Sequence, residues 1–480
     1  MAPTRRDLLT GAGGLVALLG LAKSAKASAC DEESDLPASD GRLAINRLRV
    51  TKIVPSWKDI ATGTTVQKEP VSNAYPIAEA DPSLRITNFN RQSMMNPCAR
   101  LVGNGEWLLS GYGNITRPSG DTSRGDSTMI MRMFLHDGQF SFQRRQAPVL
   151  AFPQDPDNYW PNQGGLGTGM SFLSLPPNRY GLRYFGVVGM HQGPFSEDGA
   201  PAGRDILAQS VSADGINWRV IKEGTGWPPT TTDVALAKPF IAYSRDVPFR
   251  NYHEAMYYSD PARGGDGKVY LLFGQSTAQG IVTYLMRYSY DPARFSGISQ
   301  PELWSNGQDG YSPDGSWVAF GNRTLDDYMM DHGTEYRYLW DMVEPTDTAP
   351  IYGPDGQDGV LLLYQSQKGF GAPKLDYRVS ATNSWPFLWG PRRTIDLSEL
   401  FAAGYTAGTA GGLSASVLQH GARLYLLVST APGAYAAASV TEGQPRFLGL
   451  THTTGGLKIC QLYANGPDDP EMLPTLPSWR

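Results

Sequence analysis

The chain has 480 residues, of which 41% are hydrophobic and 18% charged, and its formal net charge is -5. That composition supplies a large apolar core, and the lack of a basic stripe excludes nucleic acid as a partner. No P-loop, Rossmann glycine pattern or G-x-S-x-G elbow stands out, which argues against nucleotide binding and serine-hydrolase chemistry.

In chain order, the first predicted element is a targeting segment. Thr4-Arg5-Arg6-Asp7-Leu8-Leu9 precedes a mildly apolar, Gly/Ala-rich run over residues 11–22. Paired arginines before a weakly hydrophobic stretch predict a twin-arginine export signal over residues 1–29, and the run is too short for a stable membrane span. Two maturation routes stay open. Cleavage after Ala25-Lys26-Ala27 gives a simply secreted protein. Lipidation at Cys30, within the weakly lipobox-like Ala27-Ser28-Ala29-Cys30, gives an anchored one. Either route predicts a periplasmic or extracellular location, with membrane contact only through that anchor.

Residues 30–90 read as a tether followed by a lead-in strand at 47–54, which either packs beneath the main domain or completes its last sheet. From 91 to 465 one unit returns five times: a short β-rich run, a Gly/Asp turn, then a second apolar run. The copies are Asn96–Gly111, Met170–Met190, Glu254–Ser276, Val343–Ser366 and Leu413–Thr430. Units of this size hold four antiparallel strands with long connecting loops, so the expected fold is all-β, a five-bladed β-propeller with long top-face loops. The longest loops fall at 119–126, 154–169, 193–204, 227–233 and 305–331. A short helix is expected at 397–403 after Asp396, and 466–480 is a Pro-rich tail. Cys98 falls in the first inner strand and Cys460 near the last strand. They are either a disulfide stapling the ring closure or two buried thiols, and no Cys/His spacing resembles a zinc site.

The strongest local motif is Ser212-Ala213-Asp214-Gly215-Ile216-Asn217-Trp218, after the apolar strand 206–211. Asp-Gly makes the turn, Ser and Asp side chains bond turn backbone groups, and Trp covers the blade edge. An S-x-D-G-x-x-W hairpin after such a strand resembles those of five-bladed glycoside hydrolases such as families 43, 32 and 130. It also resembles the sialidase Asp-box, which carries one more residue between Asp and Gly.

The first resemblance implies an enzyme that cleaves glycosidic bonds of an extracellular polysaccharide or glycoconjugate, with a carboxylate pair in the axial pocket. In those families a Glu-Pro at the start of an inner strand, followed by a Gly turn and a Tyr-rich strand, holds the general acid; Glu344-Pro345 matches, with Trp340 and Met342 as desolvating neighbours. Glu254 is the second carboxylate, as nucleophile, base or modulator, and His253 orients a carboxylate or binds a hydroxyl. The first inner strand departs from the pattern: Asn96 stands where an Asp is expected, and Asn takes no proton at neutral pH. Either another carboxylate substitutes, with Asp331, Asp155 and Asp157 as the candidates, or the chemistry differs. Arg91, Asn96, Trp160, His253 and Trp340 are the expected substrate contacts, no cofactor is required, and the resemblance allows a structural calcium in the central channel. Two rival readings are a sialidase-like hydrolase, which a sixth blade would favour, and a non-catalytic sugar-binding propeller.

Overall fold

The computed structural model describes the strands, one short helix and several tight turns between Arg47 and Asn465. Residues 1–46, 68–93, 145–166, 193–203, 243–253, 290–301, 320–337, 433–455 and 466–480, with shorter stretches between strands, lie outside the described residues. The predicted export signal, the tail and most of the long loops fall there.

Three strands precede the repeats: β1 (Arg47–Ile53), β2 (Ser56–Asp59) and β3 (Thr65–Gln67). The first sheet then runs outward as β4 (Met94–Gly103), β5 (Glu106–Asn114), β6 (Asp126–His136) and β7 (Gln139–Arg144). The second is β8 (Gly167–Ser174), β9 (Tyr184–Gln192), β10 (Arg204–Ser212) and β11 (Trp218–Val220), with β12 (Ile241–Ala242) also on β10. The third is β13 (Glu254–Tyr258), β14 (Lys268–Thr277), β15 (Gly280–Ser289), β16 (Glu302–Ser305) and β17 (Ser316–Ala319). The fourth is β18 (Glu344–Tyr352), β19 (Asp358–Gln367), β20 (Lys374–Ala381) and β21 (Arg393–Thr394). The expected helix follows as α1 (Ser398–Ala402), where Ser398 N–H donates to Asp396 Oδ1. The fifth sheet is β22 (Tyr405–Ala407), β23 (Ala415–His420), β24 (Arg423–Pro432) and β25 (Gly456–Asn465).

The first four sheets lead with their innermost strand, in the fifth the short β22 precedes the innermost β23, and each repeat read from the sequence coincides with an inner hairpin. The inner strands β4, β8, β13, β18 and β23 pack side by side in that order, and β23 returns to pack on β4. The ring is therefore closed with five blades. β1 pairs with β25 as the outer strand of the fifth sheet. The lead-in strand thus completes the last blade, joining both ends of the chain in one sheet. β2 and β3 instead extend the outer edge of the first sheet, β2 running parallel to β7.

The core lies between blades. Cys98, Leu108 and Ile130 meet Met170, Phe172 and Trp218 between the first two, and equivalent clusters fill the next three interfaces. Phe140 packs edge-on to Tyr425, centroids 5.0 Å apart, where the fifth blade meets the first. Middle strands are covered on both faces, which is why Val269–Phe273, Val360–Tyr364 and Leu424–Val428 read as unbroken apolar or aromatic runs rather than alternating ones. Between β6 and β7, Asp137 (φ 49) and Gly138 (φ 76) are both left-handed, the geometry of a two-residue I′ hairpin.

Cys98 is a free, buried thiol. The disulfide with Cys460 is not formed. Cys460 sits on β25, paired to Leu426 and Ile53 in the outer part of the fifth sheet, whereas Cys98 sits on an innermost strand.

Candidate functional site

The axis of the ring is occupied by charge. Arg100 and Asp347 are 8% and 1% exposed, and Arg100 Nη1 donates to Asp347 Oδ1 at 2.7 Å. β4 neighbours β8 and β23 in the ring; β13 and β18 lie opposite. Yet the Arg100 guanidinium reaches Asp347 on β18 and the Met256 carbonyl on β13, the latter at 3.3 Å. It therefore crosses the centre. Asp347 Oδ2 accepts from the Ser416 hydroxyl and from Val417 N–H at 3.3 Å, both on β23. Ser416 Oγ in turn accepts Ala99 N–H of β4 at 3.1 Å. Thr348 Oγ1 donates to the same Met256 carbonyl at 2.6 Å, and Cys98 Sγ faces the Phe172 carbonyl of β8 at 3.9 Å. One belt thus ties together all five inner strands.

Burial opposes the charge on Arg100, but the Asp347 carboxylate outweighs it and holds the guanidinium above its usual range. A buried ion pair is tolerated only when further hydrogen bonds satisfy both partners, as they do here. Burial, more than any neighbour, pushes the Cys98 thiol up to about 11.

Local backbone chemistry brings Asp347 into this belt. Pro345 pairs with Tyr364 and Asp347 with Leu363, so Thr346 is the extra residue of a β-bulge. A bulge re-aims the side chains that follow it. Thr346 Oγ1 is buried there without a hydrogen-bond partner.

Of the residues expected to act on substrate, Glu254 is the first residue of β13 and Glu344 the first of β18, on adjacent inner strands. Asn96 is the third residue of β4, across the ring from both. Asp331, Arg91, Trp160, His253 and Trp340 lie outside the described residues, as do Asp155 and Asp157. Met342 is fully buried in the core between the third and fourth blades. Among the described residues no group of three His, Cys, Asp or Glu side chains is arranged to hold a metal. A calcium does not fit at the level of the belt, where a guanidinium spans the axis and both Asp347 oxygens already accept hydrogen bonds.

Sequence reading missed Arg100 and Asp347. The signal for Arg100 was its type: a charged residue between Ala99 and Leu101 in an inner strand, where a charge is rarely buried unless paired. Asp347, between Thr346 and Thr348, carried no such apolar contrast.

The Ser212–Trp218 turn is as expected. Ser212 Oγ accepts Gly215 N–H at 2.8 Å, and Asp214 Oδ1 accepts Ile216 and Asn217 N–H at 2.8 and 2.7 Å. Trp218 Nε1 donates to the Gly215 carbonyl at 2.8 Å. The indole, fully buried against Phe172 and Tyr184, is part of the interface between the first and second blades. The motif is architectural.

No protein-family model and no curated protein matches the chain. Solved structures do. A glycosyl hydrolase from Bacteroides ovatus is 14% identical, covering 91% of this chain and 99% of its own, with a TM-score of 0.37. A family 117 glycoside hydrolase of Zobellia galactanivorans is 12% identical over 86% and 97%, with a TM-score of 0.40. An arabinanase of Cellvibrio cellulosa is 12% identical over 79% and 95%, with a TM-score of 0.38. These neighbours are glycoside hydrolases, the class that the sequence resemblance named. The chain itself is a five-bladed β-propeller by its own five sheets, whose inner strands close one ring among the described residues.

Proposed function

We propose that the chain is an exported glycoside hydrolase acting on an extracellular polysaccharide or glycoconjugate, with Glu344 as general acid and Glu254 as the second carboxylate. One observation carries the reading: the two glutamates open neighbouring inner strands of a closed five-bladed ring. Inner-strand starts in such a ring share one end of the axis, the end at which a propeller offers its pocket. Glu344 protonates the leaving glycosidic oxygen. Glu254 either attacks the anomeric carbon or activates water, depending on whether the carboxyls stand about 5 Å apart or roughly 6.5–9.5 Å apart. Asp331 is the third candidate carboxylate, standing in for the Asp that Asn96 replaces. Arg91, Asn96, Trp160, His253 and Trp340 are the proposed sugar contacts. The twin-arginine segment supports export, either as a simply secreted protein or with a lipid anchor at Cys30.

The test is turnover by the purified mature protein on arabinan, xylan, fructan and mannan, read as new reducing ends. The wild type is expected to act on one of them, and Glu344→Gln to lose roughly 10²–10⁴-fold in kcat while still binding it. Saturable glycan binding with no turnover on any of the four would instead identify a sugar-binding propeller.

A further inference from the structure

We propose that Arg100 and Asp347 are positioning residues that set the spacing between Glu254 and Glu344; this inference rests on the hydrolase reading above. The belt grips both carboxylate-bearing strands next to the glutamates. Met256, whose carbonyl accepts from Arg100, is two residues beyond Glu254 on β13. Asp347 is three residues beyond Glu344 on β18, across the Thr346 bulge. At about 3.3 Å per strand residue the clasp lies roughly 7–10 Å along the strands from the two glutamates.

The connections converge on few atoms. The Met256 carbonyl takes both Arg100 from β4 and Thr348 from β18, so β13 and β18 are pinned to each other through one oxygen. The Asp347 carboxylate takes Arg100 on one oxygen and β23 on the other, so β18 is held from two sides of the ring. A guanidinium is a rigid planar fork that fixes angle as well as distance, while an ammonium is a point charge on a flexible stem. Hydrolysis by paired carboxylates depends on their separation, and a misplacement of about 1 Å costs roughly 10²-fold in rate. The sequence spends a buried ion pair at this level where apolar packing would hold five strands together as well; fixing the geometry of the two strands that carry the carboxylates accounts for that choice.

The experiment has two arms. In the first, the full chain with its three cysteines changed to serine carries Glu254→Cys and Glu344→Cys, each labelled with a nitroxide. Pulsed EPR then measures the label separation with the clasp intact and with Arg100→Lys or Asp347→Asn. A narrow distribution that broadens or moves in either background is expected. An unchanged distribution in both overturns the proposal, whether or not the chain hydrolyses anything. The second arm keeps the native carboxylates. Arg100→Lys, assayed below its melting temperature, is expected to lower kcat by roughly 10²-fold with KM within about twofold, and to shift the acid limb of the pH–rate profile. Wild-type kcat and pH profile in a folded Arg100→Lys protein would also overturn the proposal. If the wild type turns over no glycan while the label distances respond, the hydrolase reading falls and the spacing role stands.

Discussion

At the scale of single residues, the Ser212–Trp218 turn shows how tightly one backbone position can be specified. Gly215 has φ +77, and a Cβ there would lie 2.2 Å from Leu108 Cδ1 of the first blade. Gly215→Ala is therefore strained twice, by dihedral and by overlap, and should lose about 1–3 kcal/mol in denaturant unfolding. Partial burial works against the Asp214 charge, but the N–H groups of Asn217 and Ile216, with the Asn217 and Ser212 side chains, outweigh it and hold the carboxyl below its ordinary range. A lowered folded pKa contributes stability above the unfolded value and loses it as pH falls through the folded one. The melting difference between wild type and Asp214→Asn should thus be constant from about pH 8 to about pH 5 and shrink below about pH 4. Cys98, 3% exposed with its thiol pushed up to about 11, should stay unreactive to a thiol reagent at neutral pH until the protein is unfolded, because the thiolate is the reacting form. The turn was legible in the sequence because its bonds link residues within seven positions. Arg100 and Asp347 were not, because their bond spans 247 positions.

At the scale of elements, β1 is the strand that completes the fifth blade. It joins the N-terminal side of the chain to β25, and its Leu48 and Val50 are 0% and 2% exposed within the core between the fourth and fifth blades. Asp396 N–H donates to the Leu48 carbonyl, and Val50 N–H donates to the Asp396 carbonyl. Leu48→Ala should cost about 2–5 kcal/mol, the range for emptying a filled core site. Deleting residues 47–53 should go further, leaving β25 as an open edge and producing aggregation or loss of a cooperative melt. The repeats made the inner hairpins readable, since each carries two apolar runs about a polar turn. The partner of β1 was left open between two arrangements, because a strand's own residues state which face is apolar but not which edge receives it.

At the scale of the whole molecule, the belt through Arg100 makes the ring one mechanical unit: five strands from distant parts of the chain meet in one hydrogen-bonded layer. Asp347→Ala alone should cost about 3–5 kcal/mol, since it strands a buried guanidinium. Arg100→Met combined with Asp347→Leu should cost much less than the two single changes together. A double-mutant cycle on unfolding free energies checks this; additive effects would mean that the pair is not coupled.

The sequence by itself determined the class of fold, the five inner hairpins, the short helix and the Asp-Gly turn. Periodicity, turn chemistry and apolar runs are local properties, and each copy of the repeat states them again. Only the tertiary structure decided that β1 closes the fifth blade, that Cys98 is unpaired, and that the axis is filled by Arg100 and Asp347. These depend on which distant segments meet at the centre of the ring. That meeting is set by packing between blades, and the charge at the axis is stable only because all five inner strands supply its partners at once.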